Sequence, residues 1–184
     1  TLLGLLLFSF MSAAQVITHS NSLTLANTNI ACNSGGTATP TSSDNRYFRF
    51  FNLSTFSITG DYSISSIQFG IQSLTIPTLP AGFPVIVKIY ATAATNFPTS
   101  YPTGYTQIAT VTSNILTSDV GTLKSIPIAA TIPAGQNLLV EVGYEAQVAA
   151  SLNRIFLSAN DLGETAPTYI SSTACSILNP STMA

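Results

Sequence analysis

Charge is scarce in this chain. Five Lys and Arg and seven Asp and Glu make up 7% of 184 residues, against about 25% in an ordinary soluble protein. With a net charge of −2, there is no basic footprint for a nucleic-acid partner. Tryptophan is absent and histidine occurs once, as His19. One imidazole near the N-terminus offers little to a Ser-His-Asp or Cys-His mechanism, which needs the ring held by a rigid scaffold. Two cysteines and one distant histidine cannot complete a four-ligand zinc site. There is no HExxH, no phosphate-cradling glycine loop and no nucleophile elbow.

The hydrophobic run is short as well. "TLLGLLLFSFMSAAQ" holds about ten apolar residues, half of the ~20 that span a bilayer, and ends in small residues. Ser12 and Ala14 take the −3 and −1 positions of a cleavage site before Gln15. Residues 1–14 therefore read as the latter part of a secretory signal peptide; the alternative is a buried N-terminal strand or helix. Export to the cell surface or medium follows, with no membrane insertion once the leader is removed. Cys32 and Cys175 are natural disulfide partners in that compartment, the alternative being two buried thiols. A ring that long stabilises by up to ~5 kcal/mol on the chain-entropy view.

What is present is alternation. "RYFRFFNL" puts Phe48 and Phe50 on one face, and Tyr47, Arg49 and Phe51 on the other. "VIVKIYA" sets Val85, Val87 and Ile89 against Ile86, Lys88 and Tyr90, and "LLVEVGY" sets Leu138, Val140, Val142 and Tyr144 against Leu139 and Glu141. Further period-two runs cover residues 62–71 and 105–112, with shorter ones at 22–25, 123–128, 154–158 and 168–171. No segment shows a helical period. Length and pattern predict one all-β domain: a two-sheet antiparallel β-sandwich of jelly-roll type with about nine strands.

"TIPTLPAGFPVIVKIY" and "TIPAGQNLLVEVGY" echo each other, each a Pro-containing turn with Ala-Gly before an alternating strand. Lys88 and Glu141 fall six residues after the Gly of their own copy. Neighbouring strands would make them a cross-strand pair, worth tenths of a kcal/mol if exposed.

Among the carboxylates, Asp61 and Asp119 read as turn residues. Asn160, Asp161 and Glu164 form the best calcium candidate, with Asp44 and Asn45 a weaker one; calcium requires six to eight oxygens, and no other cofactor is expected. The punctuated loop "TAATNFPTSYPTG", residues 92–104, carries Phe97 and Tyr101. With Tyr169 they suggest a stacking platform for glycans, or rings that anchor their loops. Arg49, beside aromatic rings, reads first as a stacking or ion-pair residue and second as a ligand-reading one. Asn52-Leu53-Ser54 is a glycosylation sequon.

"CNSGGTATPTSSDNRYFRFFNLSTF", "GDYSISSIQFGIQS" and "LSANDLGETAPTYISSTACSI", with "PTGYTQI" and "IPAGQNLLVEV", resemble a β-sandwich accessory module of secreted multidomain proteins of Bacteroidota, found upstream of a C-terminal sorting domain of the type IX secretion kind. The resemblance implies an N-terminal segment over 15–30 and a module over 31–184 that lacks its last strand. It also implies covalently attached neighbouring domains. It carries no catalytic residues. The expected function is a non-catalytic unit for adhesion, carbohydrate binding or spacing, with glycans or other surface components as partners. The alternatives are a carboxylate-dependent glycan hydrolase domain and a purely structural spacer.

Overall fold

A computed structural model describes residues 15–34 and 38–183. The expected leader, residues 1–14, lies outside them. Alternation becomes strand wherever it is sustained: β3 (Asn45–Phe51), β4 (Tyr62–Thr75), β5 (Phe83–Thr92), β6 (Tyr105–Ile115), β7 (Leu123–Ile132), β8 (Asn137–Tyr144), β9 (Arg154–Ser158) and β10 (Tyr169–Ser172). Two short strands, β1 (Asn33–Ser34) and β2 (Thr41–Ser42), form a small ribbon, and β11 (Ile177–Thr182) pairs with β10. Among the described residues the structure is therefore all-β, with eleven strands where about nine were expected. Residues 22–25 do not form the expected strand; Leu25 makes only an isolated bridge to Asn160. β11 escapes a period-two reading because Pro180 interrupts it. A proline is tolerated there because β11 is an edge strand.

The sheets are antiparallel and packed face to face. One has six strands in the order β11-β10-β3-β8-β5-β6, the other three in the order β7-β4-β9. From β3 to β10 every connection except the β5–β6 hairpin passes from one sheet to the other, the wrapping of a jelly roll. The expected faces are the observed ones. Val85, Val87, Ile89, Val140 and Val142 of the six-stranded sheet meet Ile64, Ile71, Ile126 and Ile155 of the other in one core. Fully burying side chains of this size stabilises by about 1.5–3 kcal/mol each.

Cys32 and Cys175 are bonded, with Cα atoms 6.0 Å apart across a sequence separation of 143. The bond ties the stretch before β1 to the β10–β11 turn. Asn45, wholly buried, reinforces that corner by accepting from the Cys32 N–H and donating to the Cys32 and Ser43 carbonyls. Among the described residues no helix is long and apolar enough to cross a membrane.

The echoed copies are neighbours. β5 and β8 pair in the register Lys88↔Glu141. Gly82 and Gly135, which end the lead-in turn of each copy, take positive φ values of +100° and +76°, conformations that glycine enters without strain. The outer face of the six-stranded sheet is also covered. Residues 93–104, between β5 and β6, fold back so that Phe97 and Tyr101 pack with Phe48, Tyr90 and Leu139 in a second cluster.

Candidate functional site

The cover loop rests on a buried charge. Glu141, 2% exposed, accepts from Lys88 Nζ at 2.9 Å and from the Tyr90 hydroxyl at 2.7 Å. The Tyr101 hydroxyl of the cover loop donates to the same oxygen as Tyr90, at 3.4 Å. Burial, and then the adjoining carboxylate, push the Tyr90 and Tyr101 hydroxyls above the usual tyrosine range, so both remain proton donors. The expected cross-strand pair thus exists, with its carboxylate buried, its ammonium half-buried and two tyrosines attached.

Where this cover ends, at the edge near the C-terminal end of β3, an open cleft of about 540 Å³ appears. Its walls come from four distant segments: the end of β3 and the 3-10 turn Leu53–Phe56, the cover loop, the β9–β10 loop, and the N-terminal stretch around His19. Phe50, Phe56, Phe97 and Tyr169 supply aromatic surface; Asn52, Asn96, Thr55, Thr95 and Thr165 supply amides and hydroxyls. Phe97 is itself buried and meets the Tyr169 ring edge-on at 4.9 Å.

His19 is placed by contacts that span most of the chain. Its Nε2 lies 2.9 Å from the Phe50 carbonyl, which can only accept, so Nε2 carries the proton and Nδ1 accepts from the Thr165 hydroxyl at 3.1 Å. The ring stacks on Phe51 at 4.7 Å. Burial, aided by the nearby Arg49 guanidinium, lowers its pKa below the ordinary value of 6.5, against the opposing Phe50 hydrogen bond and Glu164 charge. The imidazole at the cleft wall is therefore neutral at pH 7. His19 and the residues that follow it run against the β9–β10 loop, with backbone bonds from Asn21 to Gly163 and from Thr165 to His19.

Of the residues singled out in the sequence, the cleft gathers Phe97 and Tyr169. Tyr101 lies one layer away on the sheet, tied to Glu141. Arg49 points inward with Tyr47 and Phe51 and pairs with Glu164, so its role is the ion pair rather than an exposed contact. Glu164 Oε1 accepts from the Thr168 N–H and Oε2 from the Thr168 hydroxyl as well as from Arg49. Asn160 Oδ1 accepts from the Leu162 N–H within its own turn. The Glu164 and Asn160 side-chain oxygens expected for calcium thus fasten the β9–β10 loop to the sheet and to itself. Asp44 is also occupied: it accepts from Ser172, Thr173 and Ala174, and although burial raises its pKa, these bonds outweigh that and hold it below the usual carboxylate value. Among the described residues no three His, Cys, Asp or Glu side chains gather as a metal ion requires.

His19, Asn52 and Asn96 were not legible as site residues. His19 acquires its place from contacts made far along the chain, while Asn52 and Asn96 bond to near neighbours and meet at the cleft through the fold of their segments. No protein family, curated protein or solved structure matches the chain.

Proposed function

We propose that this domain is a secreted, non-catalytic carbohydrate-binding unit of a larger extracellular protein, and that the cleft beside Phe97 and Tyr169 is its glycan site. The lining carries the proposal: aromatic surface set among neutral amides and hydroxyls. A sugar ring presents an apolar C–H face and a rim of hydroxyls, so a ring wall with Asn and Thr around it complements both parts. The apolar leader and the Cys32–Cys175 bond support export to an oxidising compartment. The resemblance to accessory modules of secreted Bacteroidota proteins supports attachment to neighbouring domains and an adhesive role at the cell surface.

A glycan hydrolase requires two carboxyl groups about 5–9.5 Å apart across its cleft. No Asp or Glu lines this one, and Glu164, next to Thr165, is held by Arg49 and Thr168. That favours binding over hydrolysis.

A glycan array probed with the fluorescently labelled chain tests the proposal. Retention on a restricted set of neutral glycans is expected, reduced about tenfold or more by Tyr169→Ala and restored in part by Tyr169→Phe, which keeps the ring. No retention on any glycan would leave the spacer alternative. Release of reducing sugar from a retained glycan would favour the hydrolase.

A further inference from the structure

The aromatic cleft does not end at its polar rim. Asn52 and Thr95, which close it on one side, also wall a second hollow of about 370 Å³. The turn at Gly135 and Gln136 and the stretch at Thr59 and Gly60 form its other sides. Asn137 joins the walls. Its Oδ1 accepts from the Leu53 N–H at 3.1 Å and its Nδ2 donates to the Ala94 carbonyl at 2.8 Å. The segment after β3 and the segment after β5 are thereby held at one spacing. No aromatic ring and no ionisable group lines this second hollow, whereas the first is ring-walled.

We infer that the two hollows are consecutive subsites of one groove, and that its ligand is a linear, uncharged oligosaccharide. One sugar stacks in the aromatic cleft, and the units that follow cross the Asn52–Thr95 ridge to bond with Gln136 and the hydroxyls opposite. This rests on the reading of the aromatic cleft as a glycan site, and adds to it the length and the charge of the ligand. A second subsite contributes hydrogen bonds without a second loss of translational freedom, so affinity rises with chain length until the groove is full. An acidic sugar is disfavoured: His19, the one lining side chain that could carry a positive charge, is neutral at pH 7 and already bonded on both nitrogens, and a carboxylate entering the groove would be left without a counter-charge.

Titration calorimetry with β-1,4-linked glucose, xylose and mannose oligomers of two and five sugars reads both parts. At least one series is expected to bind, the five-sugar member about tenfold or more tighter than the two-sugar one, and an oxidised, uronic-acid form of the same oligomer more weakly. Gln136→Ala removes a side chain from the second hollow. Gly60→Phe adds one where no atom lies within 4 Å of the new Cβ. Each is expected to abolish the gain with length, weakening the five-sugar member far more than the two-sugar one. Equal affinity at both lengths, or a gain that survives both substitutions, overturns the two-subsite groove while the aromatic cleft stands. Tighter binding of the acidic form overturns the assignment of charge. Binding of no oligomer at any length overturns the glycan reading itself, and the groove with it.

Discussion

The two faces of the six-stranded sheet are both covered over its central strands β3, β5 and β8 and are built differently. The inner face lies against a second sheet and is mostly aliphatic, with Tyr47, Phe51, Phe83 and Tyr144 among its members: Val85, Val87, Ile89 and Val140 meet Ile71, Ile126 and Ile155. The outer face lies under a loop and is aromatic, with Phe48, Tyr90, Phe97 and Leu139 around the carboxylate of Glu141. Sheet against sheet needs only apolar side chains at every second position, because strand spacing sets the rest. A loop has no such lattice. Here it is placed by rings that meet edge to face and by one hydroxyl, that of Tyr101, reaching a buried charge. The inner face holds the fold together; the outer face positions the wall of the cleft.

The contrast can be broken from either side. The largest loss is expected on the inner face. Phe83, fully buried against Tyr144 at a ring separation of 5.4 Å, should cost about 3–5 kcal/mol on replacement by Ala, read as a lower urea midpoint. On the outer face, Lys88→Met leaves Glu141 buried without its cation and should destabilise by about 3 kcal/mol. The double variant Lys88→Met with Glu141→Leu should recover most of that loss, as charge is then removed from both partners. If the double variant is no better than the single one, the pair is not what governs this face.

A smaller and more local effect is expected from Tyr101→Phe. It keeps the ring and removes the hydroxyl from Glu141, costing about 1 kcal/mol. Amide hydrogen exchange should accelerate in residues 93–104 and stay unchanged in β4 and β9. Uniform acceleration would mean that the loop is no separate layer.

The smallest effect concerns pH. The folded-state pKa of His19 lies below its ordinary value of 6.5, so on acidification the unfolded chain takes up the proton first. Stability is level above that value, declines as pH falls through 6.5, and levels again once pH is below the folded-state pKa. Arg49 and Glu164 are the charges that face the ring. In a His19→Gln variant the slope in this window should vanish, a result read from urea midpoints at a series of pH values. A slope that persists would assign it to another group.

How much of this was legible in the sequence follows the same division. The inner face could be read because burial by a sheet has a period of two, and each inward residue of "VIVKIYA" and "LLVEVGY" is where alternation puts it. The Lys88–Glu141 register could be read because the two Pro-to-Gly lead-ins count equally to both residues. That its carboxylate is buried could not be read, since the cover arrives through Tyr101, 40 residues from Glu141 in sequence. Likewise His19 sits in what reads as a tail and is fixed by Thr165, 146 residues away. Arg49 was legible as an ion-pairing residue from its aromatic neighbours, but its partner Glu164 was assigned to calcium, because a Glu near Asn and Asp in a loop shows the same local pattern whether it meets a cation or an arginine.

Amide chemical-shift mapping of the ¹⁵N-labelled chain, titrated with the tightest-binding neutral oligosaccharide, tests the proposed glycan site most directly. The expected perturbations gather at Thr55, Asn96, Thr165 and Tyr169 and extend to Gln136 as the oligomer lengthens. Perturbations confined to the exposed strands β6 and β7, or none at saturating sugar, would contradict a glycan site at the end of this sandwich.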